Sequence, residues 1–227
     1  MSRVTWNTIG KKLYRTGVDR CVLYKRSGEG LYPEGVAWDG LTNISENPEG
    51  AEATPLYASN VKYATLMSAE NFKYSIEAYM YPDEFAECDG SKEIAPGVFA
   101  TGQNRSHFGL TYRSLIGNDV VGTDYGYELH IVYDSTAAPS SKENSTVNDS
   151  PEAATMSWEC DTTPVECPGC KPTAHFIINS TKVDKTALSA LEDILYGTTD
   201  KEPRLPLPDE IAELFKNDAG VSELTTE

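Results

Sequence analysis

Between residues 71 and 81, Phe72, Tyr74, Ile76, Ala78 and Met80 alternate with Lys73, Ser75 and Glu77. A period of two places the first set on one face of a β-strand and the second on the other, so this segment reads as a half-buried strand. Residues 126–134 repeat the pattern, with Tyr127, Leu129, Ile131 and Tyr133 on one face and Glu128, His130, Val132 and Asp134 opposite. Further strands are expected at 18–24, 35–44, 107–113, 154–160 and 173–179, most of them bounded by Gly, Pro, Asn or Asp. So many short strands point to a mainly β fold, a sandwich or barrel-like body.

Helical spacing enters late. Leu188, Leu191 and Leu195 follow i, i+3, i+7, and Ala187 and Ile194 widen the stripe. Asp184 is positioned as the N-cap and Gly197 as the C′ residue, which predicts one flanking α-helix over 184–196. Its apolar stripe must be buried, most simply on an open face of the sheet. Pro203, Pro206 and Pro208 then favour extended chain, with a short helix expected over 208–216. Two polar stretches, 43–60 and 134–151, read as connections too long to be simple turns. The organisation expected is a basic N-terminal arm (1–17), a β domain (18–197) and a Pro-rich C-terminal extension (198–227).

Charge refines this picture. The 227 residues hold 19 Lys and Arg against 35 Asp and Glu, net −16. Residues 1–30 contribute seven bases and two acids, net +5, which leaves 12 bases and 33 acids, net −21, for the remainder. The acidic excess disfavours a protein that wraps nucleic acid, because it repels phosphate. A basic segment on an acidic body suits docking between copies of one chain, and suits equally a solvated basic tail. Neither an apolar run long enough to span a bilayer nor the apolar core of a signal peptide is present, so a cytosolic site of synthesis is expected. Glu70, Glu77, Asp83, Glu84, Glu87, Asp89 and Glu93 read as a solvated acidic face.

Candidate chemistry is sparse. Cys167-Pro-Gly-Cys170, with Cys160 upstream and His175 downstream, offers three thiolates and an imidazole for a tetrahedral zinc site. The competing reading is a plain turn with reduced thiols, since five cysteines is an odd count for a disulfide framework. His107, His130 and His175 all lie in strand-like segments, and neither a nucleophile elbow nor a phosphate loop accompanies them. Scattered carboxylates give a hydrolase no motif. No catalytic, cofactor or metal residue is assigned, and an enzyme is not expected.

Several stretches together carry a resemblance. They are Gly35-Val-Ala-Trp-Asp-Gly-Leu-Thr42, Glu46-Asn-Pro-Glu-Gly-Ala-Glu52, Thr54-Pro-Leu-Tyr-Ala-Ser-Asn60, Tyr79-Met-Tyr-Pro-Asp-Glu-Phe-Ala-Glu-Cys-Asp-Gly90, Asn148-Asp-Ser-Pro-Glu-Ala153, Lys171-Pro-Thr-Ala-His-Phe-Ile-Ile-Asn-Ser180, Leu191-Glu-Asp-Ile-Leu-Tyr-Gly197 and Pro203-Arg-Leu-Pro-Leu-Pro208. In order and spacing the chain resembles the major tail proteins of long-tailed bacteriophages. The resemblance implies a tail-tube fold with one flanking helix and extended arms, assembled as stacked hexameric rings in the virion. It also implies tape-measure and tail-terminator proteins as partners, with DNA passing through the lumen unbound. The family has no fixed cysteine pair at Cys167 and Cys170. The alternative is a zinc-stabilised cytosolic binding module using Cys160, Cys167, Cys170 and His175.

Overall fold

The computed structural model describes residues 3–144, 146 and 153–219. Its strands are β1 (Leu13–Lys25), β2 (Gly35–Ala37), β3 (Leu41–Glu46), β4 (Glu49–Gly50), β5 (Ala53–Ala58), β6 (Val61–Met67), β7 (Glu70–Asn71), β8 (Lys73–Ala78), β9 (Ser91–Ala95), β10 (Val98–Thr101), β11 (Phe108–Asn118), β12 (Gly122–Ala137), β13 (Met156–Thr162) and β14 (His175–Asn179). Two helices follow, α1 (Lys185–Tyr196) and α2 (Pro208–Ala219). Eight strands form one antiparallel sheet in the order β2-β1-β11-β12-β13-β8-β3, and β14 also pairs with β12. Among the described residues no helix is long and apolar enough to cross a membrane.

The sheet forks on β12. Residues 128–132 of that strand pair with β14, whereas 135–137 pair with β13. Between the two ladders stands Asp134, a non-glycine residue at φ 46°. That conformation costs energy and persists only where the surroundings hold it. Here Asp134 Oδ1 contacts His107 Nδ1 at 2.7 Å and the Arg26 guanidinium at 3.2 Å, and its backbone N–H donates to the Tyr32 hydroxyl at 3.0 Å. Past the fork, β13, β8 and β3 turn across β1, β11 and β12 as a second layer.

Trp38, Tyr74, Ile76, Phe85, Phe108, Leu110, Val132 and Trp158 fill the space between the layers. The other face of β12 carries Leu129, Ile131 and Tyr133, which meet Leu188, Leu191 and Leu195 of α1 and Leu205 and Ile211 of the C-terminal segment. Full burial of each such leucine is worth about 2 kcal/mol. The Asp184 carboxylate caps α1 by accepting from the N–H groups of Thr186 and Ala187 at 2.7 and 3.0 Å. Helix 184–196 is therefore where its spacing places it.

Covering both faces changes the reading of 126–134. Glu128, His130, Val132 and Asp134 are buried like their apolar neighbours: the second layer closes over His130 and Val132, while Glu128 is engaged by Arg15 and Asn179 and Asp134 by Arg26, His107 and Tyr32. Segment 35–44 is two strands, broken at Trp38-Asp39-Gly40, where Gly40 takes φ 80° and the Trp38 indole turns into the core to donate to the Met80 carbonyl. Stretch 43–60 is no open connection: it holds the end of β3, then β4 and β5, and β5 forms a hairpin with β6 around Ser59 and Asn60, both at positive φ.

The arm and the extension also differ from expectation. Leu13 to Thr16 pair with Asn118 to Leu115, so the sheet takes the last part of the basic arm 1–17. Of the bases in residues 1–30, Arg15, Lys25 and Arg26 form ion pairs with Glu128, Glu87 and Asp134 of the same chain. The extension packs as part of the body: Leu205 bridges to Tyr32, and the Tyr133 hydroxyl donates to the Pro206 carbonyl at 2.6 Å. Residues 220–227 lie outside the described residues. So does most of 145–152, including much of the polar connection 134–151 and of the 148–153 stretch. Before it, β12 runs on to Ala137, and Lys142 contacts Asp89. Asp89 departs from the acidic face altogether. It is buried and accepts from the Trp158 indole at 3.0 Å.

Candidate functional site

Two features stand out beyond the core: a set of apolar side chains turned to solvent, and a buried histidine pair.

The β5–β6 hairpin projects with both faces exposed, carrying Tyr57, Tyr63 and Met67 at 71%, 77% and 69% exposure. It pairs with no other strand of the described chain. Two strands without a packed face are marginal in water, so such a ribbon gains stability by lying on another surface. The N-terminal segment likewise presents Trp6 and Ile9, 78% and 81% exposed. A second hairpin, β9–β10, adds Ile94, Val98 and Phe99. Sequence alternation is weak in β5 and β6, and without a one-sided apolar pattern 43–60 reads as a loop.

The histidine pair lies where the layers meet. His175 on β14 sits diagonally from His130 on β12, with His175 Nε2 3.1 Å from His130 Nδ1. Glu46, the last residue of β3, brings Oε1 to 3.3 Å from the same His130 Nδ1 and accepts from the Tyr112 hydroxyl at 2.9 Å. Ser114 Oγ lies 2.9 Å from His130 Nε2. Rings stack on either side: Tyr112 on His130 at 4.5 Å and His175 on Phe72 at 4.2 Å. Burial lowers both imidazole pKa values, that of His175 to about 4, against an opposing pull from the Glu46 carboxylate. Both rings are neutral at pH 7. A consistent assignment places a proton on His130 Nδ1, donated to His175 Nε2, and leaves His130 Nε2 to accept from Ser114.

A cleft of about 310 Å³ opens beside this cluster, lined by Arg15, Thr42, Asn43, Glu46, Ser114 and His130. A larger cleft, about 740 Å³ between the start of β12 and α1, has charged groups of mixed sign, Asp124, Lys185 and Glu192, and among the described residues no ligating cluster.

The zinc set of the alternative reading, Cys160, Cys167, Cys170 and His175, does not assemble. Cys167 and Cys170 form a disulfide in the turn between β13 and β14, which also corrects the reading of reduced thiols there. Cys160 is a free thiol in the apolar core, its pKa pushed up to about 12 by burial. His175 alone belongs to a metal-capable group, and its companions are Glu46 and His130. Both companions escaped the sequence reading: Glu46 sat in an assumed loop and His130 on an assumed solvent face. The third histidine, His107, engages Asp134 at the fork, where Arg26 shares the carboxylate.

No family model matches the chain, and no curated protein matches it. Among solved structures, the chain is similar to one in the cryo-EM structure of the anti-feeding prophage (AFP) baseplate, 6-fold symmetrised, with a TM-score of 0.37 and 6% identity. The alignment covers 77% of this chain and 97% of that one. A likeness at this level says nothing of function.

Proposed function

We propose that the chain is a non-enzymatic structural protein of a bacteriophage tail, and specifically a tube subunit that assembles into stacked hexameric rings. The observation that carries this reading is the β5–β6 hairpin, a two-stranded ribbon that pairs with no other described strand and turns Tyr57, Tyr63 and Met67 to solvent. Such a ribbon gains its packing from a neighbouring copy, which in a closed ring receives the same contact in turn. The resemblance carried by residues 35–60, 79–90 and 171–208 supports the tube specifically. So does an antiparallel β body covered on one face by α1 and α2, with exposed apolar segments left for contacts.

In this reading the acidic excess has a use. Carboxylates around a lumen repel phosphate and let a duplex slide, whereas a basic lumen would hold it through counterion release. The working place is the virion tail, after synthesis in the host cytoplasm, with tape-measure and terminator proteins as partners.

Electron microscopy and sedimentation of the purified chain over a range of concentrations test the proposal. Rings or tubes with six-fold symmetry are expected. A monomer at every concentration and salt level overturns it.

A further inference from the structure

Glu46, His130 and His175 come from three strands and two layers, yet their ligating atoms all lie within 4.8 Å of one another. Bonds of 2.0–2.2 Å from zinc to nitrogen or oxygen imply tetrahedral edges of roughly 3.3–3.5 Å. The two separations around His130 Nδ1 are 3.1 Å to His175 Nε2 and 3.3 Å to Glu46 Oε1. The third pair, Glu46 and His175, lies within 4.8 Å, so taking one ion between the three atoms requires the His130–His175 contact to open and the carboxylate to swing in. We propose that Glu46 Oε1, His130 Nδ1 and His175 Nε2 form a binding site for a divalent transition-metal ion, Zn²⁺ in the first instance.

The surroundings suit that role. Metal-bound histidine ordinarily engages its second ring nitrogen with a hydrogen-bonding partner, and ligating carboxylates are themselves hydrogen-bonded. Ser114 stands at His130 Nε2, and the Tyr112 hydroxyl donates to Glu46 Oε1. Ligation through His130 Nδ1 requires its proton to move to Nε2. Ser114 can follow the change, because a hydroxyl both donates and accepts. His175 Nε2 already presents its lone pair toward the site. Two imidazoles and one carboxylate favour zinc over calcium or magnesium, which prefer all-oxygen shells. The cleft beside the cluster supplies water for a fourth position.

Such an ion would clamp β3 of the second layer to β12 and β14 of the first. Its effect is on the stability of the folded chain, by mass action on the native state alone. The site does not depend on the tube reading, and either can fail without the other.

The test uses the full chain, dialysed against chelator and titrated with ZnCl₂, with bound metal counted by elemental analysis after desalting and stability followed by thermal unfolding. One zinc per chain is expected. At free zinc about 100 times Kd, the folded-to-unfolded ratio should rise roughly 100-fold. Glu46→Gln and His175→Gln should each abolish the uptake, while a Cys167→Ser/Cys170→Ser double variant keeps it. Should His175→Gln fail to fold, Glu46→Gln decides: that side chain is 35% exposed, and its amide oxygen still accepts from Tyr112. Cobalt substitution provides a second readout, with d–d bands of a tetrahedral nitrogen and oxygen site and no thiolate charge-transfer band. Absence of uptake, uptake indifferent to Glu46→Gln, or uptake lost with the cysteine pair overturns the site.

Discussion

His130 Nδ1 and His175 Nε2 meet at 3.1 Å across the β12–β14 ladder, beneath a Tyr112 ring that lies parallel to His130 at an interplanar angle of 5°. The pair occupies the seam between the two layers, where an apolar side chain would be expected. Replacing His130 by Phe keeps the ring stack but removes the hydrogen-bond partner of Ser114 Oγ and of His175 Nε2. Loss of buried hydrogen bonds of this kind costs about 1–3 kcal/mol, and chemical denaturation should read that decrease with little change in the far-ultraviolet spectrum.

The exposed hairpin makes a different prediction. Tyr57→Ser with Tyr63→Ser removes two large rings that touch no core, so monomer stability should change by less than about 0.5 kcal/mol per site. Assembly should fall sharply instead, as seen by sedimentation. Unaltered rings or tubes would remove the hairpin from the interface.

Truncation of the N-terminus should divide at residue 12. Removing residues 1–12 deletes Trp6 and Ile9 but leaves the ladder that starts at Leu13. Folding should persist while stacking is impaired. Removing residues 1–15 also takes the Arg15 partner of Glu128, at 2.6 Å, from a buried carboxylate. Thermal unfolding should therefore show a clear loss for the longer deletion only.

Asp89 is buried and gathers the Trp158 indole, Lys142 and Arg105 around one carboxylate. Asp89→Ala leaves the indole N–H without its acceptor and releases residues 138–144 from the body. A destabilisation of about 2 kcal/mol is expected, together with faster proteolytic cleavage near Lys142.

The C-terminal segment carries the last prediction. Leu205 is buried against Tyr32 and Gly109, and Leu205→Ala should cost about 2–5 kcal/mol in denaturant melts. Nearby, a hydrogen bond from Arg204 lowers the pKa of Glu210 below its usual value of 4.5. A carboxyl depressed in the folded state stabilises above its unfolded pKa, and that contribution disappears as pH falls through the folded value. Both side chains are 43% exposed, so solvent screening holds the effect below about 1 kcal/mol. Arg204→Met should erase it and flatten the stability profile below pH 4.5.

Elements with a one-sided pattern were legible from residue order. The alternation over 71–81 and 126–134 and the capped leucine stripe of 184–196 report on local geometry, and local geometry survives any tertiary arrangement. The hairpin at 53–67 lacks that signature because both its faces are largely exposed among the described residues. The disulfide was not legible either, since spacing alone leaves a Cys-Pro-Gly-Cys turn equally open to metal, thiols or a bond.

By itself the sequence determined a mainly β chain with a late amphipathic helix and a lopsided charge. Tertiary structure alone decided what faces what. Burial of His130 and Val132 follows from a second layer contributed by residues 41–46, 73–78 and 156–162, whereas Glu128 meets Arg15 and Asn179 and Asp134 meets Tyr32, Arg26 and His107; no pattern within 126–134 encodes that cover. The histidine cluster arises through the same tertiary arrangement: Glu46, His130 and His175 are far apart along the chain, and only the fork of β12 and the return of β3 bring their ligating atoms within 4.8 Å of one another.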